Sequence, residues 1–288
     1  MFGIIKKELK IAGDIIMESL REIYRIGKGP SSSHTMGPEH ASKLFLEKNP
    51  KASRYLVTLY GSLSKTGKGH MTDQIIIDTF KNKNIEVVFG DGDESKLYHP
   101  NAMTLEAFDE NDNSIDSWRV YSVGGGKIEI EGQPSVVAQD VYPLSTFSEI
   151  KAYCDKTNMR LHEYVREVEG DEIFLYLSVV WETMKQAIER GLTTEGVLPG
   201  GLDVQRKAKI LYNQRHIDES PETRESRLVC SCAFAVSEEN AGGGTIVTAP
   251  TCGASGVLPA VLYYMQKNVD FQTLQFVMHL QPLVLLVT

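Results

Sequence analysis

The sequence predicts an α+β protein with two domains, an N-terminal mixed α/β domain followed by a mainly α-helical domain. Two observations support this prediction. Up to about residue 142, runs with the alternating, β-branched pattern of strands are interleaved with short amphipathic helices. From Thr146 onward, apolar residues recur with the period of an α-helix in one segment after another. We therefore divide the chain into an extension at residues 1–16, an α/β domain at 17–142 and a helical domain at 143–288.

The first domain begins with a short helix. Ser19 and Glu22 have the spacing of a capping box, in which each side chain satisfies a free amide at the helix start. Pro38 suits the first turn of a second helix. The expected elements that follow are the strand RYLVTLYGS, a Gly/Lys/Ser/Thr loop, the helix MTDQIIIDTFKN and the strand IEVVFG. The runs TLEAFD and SWRVYSV, with turn-forming residues between them, predict an antiparallel hairpin that continues into KIEIEG.

The second domain opens on another capping box, formed by Thr146 and Glu149. Its apolar spacing predicts helices over FSEIKAYCDKT, LHEYVREV, EIFLYLSVVWETMKQAIERG, LDVQRKAKILYNQ, ETRESRLVCSCAFAVSEEN and VLPAVLYYMQKN. The sequence shows no internal repeat and no low-complexity segment.

Charge and hydropathy exclude several classes of partner. The net charge is −8, and no block of Lys and Arg offers a phosphate backbone a basic patch. We therefore expect no nucleic-acid partner. No apolar run approaches the roughly 18 residues that a membrane span needs, and the first 16 residues make a poor signal peptide. These features predict a cytoplasmic protein without a membrane partner.

The four cysteines are interpreted as thiols rather than as a disulfide framework. Cys230 and Cys232 lie on one predicted helix, about 200° apart, and we expect both to be small buried core residues. Cys252 lies in the loop TAPTCGASG ahead of a helix. A helix N-terminus lowers the pKa of a nearby thiol, so Cys252 is a candidate nucleophile or metal ligand.

The stretch GKGPSSSHTMGPEH concentrates polar side chains between two Gly/Pro turns. Ser31, Ser32, Ser33 and Thr35 supply hydroxyl groups, and His34 supplies a group that titrates near neutral pH. A helix cap accounts for one serine. It does not account for the other hydroxyls or for the histidine, so this stretch is a candidate substrate-binding and acid–base site.

The stretch GSLSKTGKGHMTD resembles a phosphate-binding P-loop, but five residues separate its first Gly from the Gly-Lys pair where four are required. The pattern therefore fails. What remains is a glycine-permitted turn that brings His70 to a helix N-terminus, a position that favours an anion. From the residues alone, a surface or structural role is the default interpretation of a lone histidine in such a loop.

Taken together, GKGPSSSHTMGP, YGSLSKTGKGHMTD, HPNAM and NAGGGTIVTAPTCGASGVLPAV resemble the bacterial iron–sulfur-dependent L-serine dehydratases, from about Met17 to Lys267. The resemblance implies a β-type α/β domain at 17–142 and an α-type helical catalytic domain at 143–288. It also implies a 4Fe–4S cluster that acts as a Lewis acid. The implied reaction, in amino-acid catabolism and gluconeogenesis, is dehydration of L-serine to aminoacrylate, which hydrolyses to pyruvate and ammonia.

The resemblance implies roles for the polar residues of these motifs. His34 and His70 are the candidates for the base that removes the Cα proton, and either could serve. Cys252 is the implied metal ligand. The implied substrate-binding residues are Ser31, Ser32, Ser33, Thr35, Lys68 and His99. A homodimer is one oligomeric state that the resemblance allows.

The ending DFQTLQFVMHLQPLVLLVT does not resemble the family. We therefore expect an incomplete catalytic domain, no stable cluster and little activity of these 288 residues alone. Two alternatives stay open. A pyridoxal-phosphate-dependent dehydratase would need a Schiff-base lysine, for which Lys68 is a candidate. A serine-binding regulatory protein would bind L-serine without turnover.

Overall fold

The structure, a computed structural model, describes residues 17–91, 97–134, 140–215 and 217–268. It confirms the α+β class, because a five-stranded mixed sheet occupies the first half and helices dominate the second. The predicted extension at residues 1–16 and the C-terminal segment at residues 269–288 lie outside the described residues.

The sheet of the first half has the strand order β3-β2-β4-β5-β6. Its strands are β2 (Arg54–Tyr60), β3 (Ile85–Phe89), β4 (Asn101–Phe108), β5 (Ser114–Gly124) and β6 (Lys127–Ile130). β2 and β3 are parallel, and the other neighbours are antiparallel, so the predicted hairpin and its continuation into β6 are confirmed. Burial alternates along β2, where Tyr55, Val57 and Leu59 face the core.

Three helices pack against this sheet: α1 (Gly37–Lys48), α2 (Gly61–Thr66) and α3 (Thr72–Thr79). The helix α2 corrects our prediction of a loop after β2. Gly61 ends the strand with a φ of +55°, and an added Cβ there would lie 2.3 Å from the carbonyl oxygen of Pro100. The next turn buries Leu63 completely. A contact with the core thus gives helical structure to a stretch whose local composition favours a loop.

The second half contains α4 (Phe147–Thr157), α5 (Leu161–Glu169), α6 (Glu172–Thr193), α7 (Ala208–Asn213), α8 (Pro221–Ala241) and α9 (Val257–Asn268). The capping box of Thr146 and Glu149 is present as predicted. Trp181 in the middle of α6 is among the largest fully buried side chains. Within the described ranges, no helix is long and apolar enough to cross a membrane.

Two helix predictions were wrong in extent. The segment before α7 forms a turn instead of a helix, because Val197 and Gln205 pair as an antiparallel bridge and Gly200 and Gly201 take positive φ angles. The helix expected at Ser19 is a single 3-10 turn, Leu20–Glu22. The Ser19 hydroxyl accepts from the Arg21 amide and donates to Glu169 of α5, so the expected reciprocal cap with Glu22 is replaced by a tertiary contact.

Each half has its own hydrophobic core. One core lies between the sheet and α1–α3, and the other lies among the helices of the second half. Met17, Leu20 and Tyr24 pack into the helical core. A short ribbon also joins the halves, since β1 (Ile26–Lys28) pairs antiparallel with β7 (Thr245–Val247). The domain limits themselves stay a prediction.

Candidate active site

The serine-rich stretch forms a single π-helical turn, Ser32–Met36, that leads directly into α1. Ser31 caps this turn, and its hydroxyl accepts from the His34 amide at 3.1 Å. The amide of Met36 donates to the Ser31 carbonyl five residues back, at 3.1 Å. Such single π turns occur frequently at functional sites. One serine therefore acts as a cap, as predicted, and the turn projects His34 away from it.

The imidazole of His34 lies between two hydroxyl groups. Its Nδ1 is 3.0 Å from the Ser33 hydroxyl, and its Nε2 is 2.9 Å from the Ser62 hydroxyl in the first turn of α2. A hydroxyl can donate or accept, so both neutral tautomers of His34 keep two hydrogen bonds. We did not predict Ser62 as a site residue. Ser62 is 28 positions from His34 in the sequence, and only the fold brings the first turn of α2 against the serine turn.

His70 lies beside His34. The two ring centroids are 4.6 Å apart, with 31° between the ring planes. The His70 Nδ1 is 2.9 Å from the backbone carbonyl oxygen of Thr66. A carbonyl oxygen can only accept, so His70 carries its proton on Nδ1, and a neutral ring leaves the lone pair on Nε2. This hydrogen bond gives His70 the tautomer that a base acting through Nε2 requires.

Burial lowers the pKa of His34 from its ordinary value of 6.5, and repulsion from a charged His70 lowers it further. An interaction with the backbone of Ser62 raises the pKa and offsets part of this effect. Two imidazoles at this separation cannot both carry a proton without repulsion. His34 is therefore neutral near pH 7, and the pair has the capacity to accept one proton.

Three consecutive glycines at residues 242–244, the triglycine segment, belong to the helical half. This segment lies against the two segments that carry His34 and His70. The Gly29 amide donates to the Gly244 carbonyl at 3.1 Å, which extends the β1–β7 ribbon. Gly243 lies opposite Met71, the residue after His70, and an added Cβ at Gly243 would be 3.3 Å from the Met71 sulfur. Three of the motifs singled out in the sequence therefore meet at one place between the halves.

An ion cluster around the buried Glu239 lies beneath the triglycine segment. Glu239 accepts from Arg190 at 2.9 Å and from Arg206 at 3.1 Å. Gly244 fits closely over it, since an added Cβ would be 2.9 Å from the carboxylate of Glu239. We did not predict this cluster, because its members come from three separate elements and no local spacing connects them.

Among the residues that the structure describes, neither Lys68 nor His99 makes a hydrogen bond or ring contact with the histidine pair. Lys68 is exposed, and its Nζ is 5.3 Å from the ring centroid of Phe89. His99 accepts the Asn101 amide at 3.1 Å through Nδ1. Its neighbour Pro100 accepts the Ser62 amide at 2.8 Å. Their predicted roles in substrate binding stay predictions.

The cysteines differ from expectation at two positions. Cys252 is buried, and burial raises the pKa of its thiol to about 12, whereas we expected a lowered pKa. Loss of hydration outweighs the nearby helix N-terminus at this site. Cys232 is buried as predicted, but Cys230 is exposed. Because the two lie on opposite sides of α8, the single buried face of the helix takes only one of them.

The described residues do not by themselves fit an iron–sulfur cluster. Within them, no group of three or more His, Cys, Asp or Glu side chains could hold a metal ion. Cys252 contributes a single buried thiol, and thiolates are the ligands that such a cluster needs.

Comparison with known proteins gives one consistent family. The model of the serine dehydratase alpha chain family matches residues 7–284, across both halves of this chain. That match begins before Met17 and continues past Lys267, so the limits that we expected for the resemblance were too narrow. Most of the C-terminal segment that we expected to differ from the family lies within the match.

Curated relatives support the same assignment. The L-serine dehydratase of Haemophilus influenzae is 34% identical, over 88% of this chain and 67% of the relative. L-serine dehydratase 1 of Escherichia coli is 36% identical, over 88% and 67%. The L-serine dehydratase of Streptomyces coelicolor is 33% identical, over 87% and 66%. The chain thus spans about two thirds of the length of these relatives.

Proposed function

The chain belongs to the serine dehydratase alpha chain family, and on this premise we propose that it removes water from L-serine. The Cα proton and the Cβ hydroxyl leave together as water, and the product is aminoacrylate. Aminoacrylate tautomerises to the imine, which takes up water and releases pyruvate and ammonia. A cytoplasmic location, a homodimer and a place in amino-acid catabolism and gluconeogenesis belong to the same proposal.

The histidine pair is the observation on which the proposal depends. In a β-elimination, a base must take the proton from Cα. We assign this role to His70, because its Nδ1 proton is held by the Thr66 carbonyl and the Nε2 lone pair has no hydrogen-bond partner among the described residues. The ring centroids of His34 and His70 are 4.6 Å apart. Because His34 is neutral, it does not repel the positive charge that His70 gains when it takes the proton.

His34 and the hydroxyl groups around it then serve to hold and orient the substrate. The hydroxyls of Ser33 and Ser62 flank both ring nitrogens of His34. Ser31 and Ser32 belong to the same turn, are half-buried, and supply further polar groups to a substrate carboxylate and ammonium. The predicted role of Thr35 in substrate binding does not fit, because its side chain is buried. The buried Thr35 hydroxyl donates to the His70 carbonyl at 2.9 Å, so this threonine positions His70.

The proposal also includes a 4Fe–4S cluster as the cofactor of this reaction. The family resemblance supports it, and Cys252 is the candidate ligand that this chain offers. Since the described residues do not fit a cluster by themselves, the ligands that complete it would have to lie elsewhere. The proton transfer assigned to His70 depends only on the contacts of the histidine pair.

The experiment that tests the function follows substrate turnover and substrate binding in parallel. The purified chain is reconstituted anaerobically with iron and sulfide, and pyruvate and ammonia are measured from L-serine. Equimolar release of both products supports the proposal and would overturn our expectation that these 288 residues alone have little activity. Binding of L-serine by calorimetry without any product would favour a serine-binding regulatory protein. Turnover that requires added pyridoxal phosphate would favour the Schiff-base alternative.

A further inference from the structure

The serine turn is connected to the helical half by one side chain as well as by the ribbon. Asn240, in the last turn of α8, donates its Nδ2 proton to the Pro30 carbonyl at 3.2 Å. The residues are 210 positions apart in the sequence. Because a carbonyl oxygen accepts only, this contact also fixes which end of the Asn240 amide faces Pro30.

The fit around Asn240 is close. An added Cβ at Gly29 would lie 2.3 Å from both the backbone oxygen and the Oδ1 of Asn240. The Oδ1 atom is buried and has no hydrogen-bond partner among the described residues. A buried amide oxygen without a hydrogen-bond partner costs free energy. Other contacts of Asn240 must therefore hold its side chain in this orientation. The Nδ2 contact and the packing against Gly29 account for its position.

We propose that Asn240 is a positioning residue for His34, because it holds the backbone at Gly29 and Pro30 from which the serine turn begins. Pro30 immediately precedes Ser31, whose hydroxyl accepts the His34 amide at 3.1 Å. A displacement of Pro30 therefore moves the cap of the turn and, with it, the imidazole between Ser33 and Ser62. The catalytic meaning of this role rests on the proposed function, but the positioning itself does not.

The test measures the imidazole directly and needs no turnover. The chain is labelled with 15N-histidine, and the resonance of His34, one of seven histidines, is identified by its loss in His34→Gln. Its pKa is then measured by NMR titration in the wild type and in Asn240→Ala. Asn213→Ala is the matched control, since that amide also donates to a backbone carbonyl, of Lys209, at 3.0 Å. A second variant, Gly29→Ala, disturbs the same contact from the other side.

In Asn240→Ala, release of the turn hydrates His34 and moves it from His70, so its pKa should rise by about 0.5 or more. Gly29→Ala should give a shift in the same direction, and Asn213→Ala should give none. An unchanged His34 pKa in a folded Asn240→Ala chain would overturn the inference. Failure of that variant to fold would overturn it as well, because Asn240 would then support the whole fold and not one turn. Neither result depends on whether L-serine is the substrate.

Discussion

The fully buried hydroxyl of Thr72 donates to the backbone carbonyl of His34 at 2.6 Å, across 38 positions of sequence. The hydroxyl of Thr35 makes the converse contact with the carbonyl of His70 at 2.9 Å. Each threonine thus holds the backbone of the histidine that belongs to the other segment. This exchange, and not the sequence spacing, brings the two imidazoles together.

Replacement of Thr72 by Val should destabilise the chain by about 1–3 kcal/mol, because it removes the donor that the buried Thr72 side chain gives to the His34 carbonyl. Thr79→Val is the matched control, since the Thr79 hydroxyl donates only within α3, to the Ile75 carbonyl at 2.7 Å. Urea unfolding measures both. Equal losses in the two variants would show that the contact between the histidine segments has no special weight.

The stability of the chain should fall in acid through His34. The pKa of His34 is lower in the folded state than its ordinary value of 6.5, so the unfolded state binds more protons between these two values. Stability therefore rises with pH across this window and is lost as pH falls below about 6.5 toward the folded pKa. The measurement is urea unfolding between pH 5 and 8.

The variant His34→Gln should flatten that dependence, and His40→Gln, at an exposed position of α1, should leave it as in the wild type. A wild-type profile that is already flat, or one that is steeper in His34→Gln, would contradict the assignment. The neighbouring His70 contributes to the slope through its repulsion of a charged His34.

Cysteine alkylation should follow burial and not proximity to a helix start. Cys230 is exposed and should react first with iodoacetamide at pH 8. Cys252, with its pKa raised to about 12 by burial, holds so little thiolate that it should react at least about 10²-fold more slowly. Mass spectrometry of digests gives the rates, and urea should make all four cysteines reactive. Rapid labelling of Cys252 in the folded chain would restore our original expectation of a reactive thiol.

The ion cluster beneath the triglycine segment should matter for stability. Glu239→Gln leaves Arg190 and Arg206 without their shared carboxylate. Because Arg206 is nearly buried whereas Arg190 is exposed to solvent, we expect a loss of about 1–3 kcal/mol, between the values typical of surface and buried pairs. Glu182→Gln removes the pair between the exposed Glu182 and the half-buried Lys185, neighbours on one helix, and should cost under about 1 kcal/mol. Unfolding in urea again compares the two. A similarly small loss in Glu239→Gln would indicate that the triglycine segment needs no such support.

Local patterns predicted much of the fold, and tertiary contacts account for most of the rest. The alternation of Tyr55, Val57 and Leu59 identified β2, and the spacing of Thr146 and Glu149 identified the start of α4. Those features depend on neighbours in sequence. The helix α2 could not be predicted in this way, since its glycine and two serines favour a loop until Leu63 packs into the core against the sheet.

The candidate site shows the same division. His34 could be proposed as a site residue from its setting among hydroxyl groups, whereas His70 became a candidate through the family resemblance. Their partners Ser62 and Asn240 could not be predicted, because each contact crosses a long stretch of chain. The pKa of Cys252 was predicted in the wrong direction, since the helix start lies close in sequence and the burying side chains do not.

The central claim is that His70 takes the Cα proton of L-serine through Nε2. Its most direct test compares pyruvate release by the reconstituted wild type, His70→Gln and the exposed control His40→Gln, from L-serine and from L-serine deuterated at Cα. We predict that His70→Gln lowers kcat by about 10²-fold or more with a smaller change in KM, and that His40→Gln retains wild-type turnover and its isotope effect. Wild-type kcat in His70→Gln, with the isotope effect unchanged, would contradict the account.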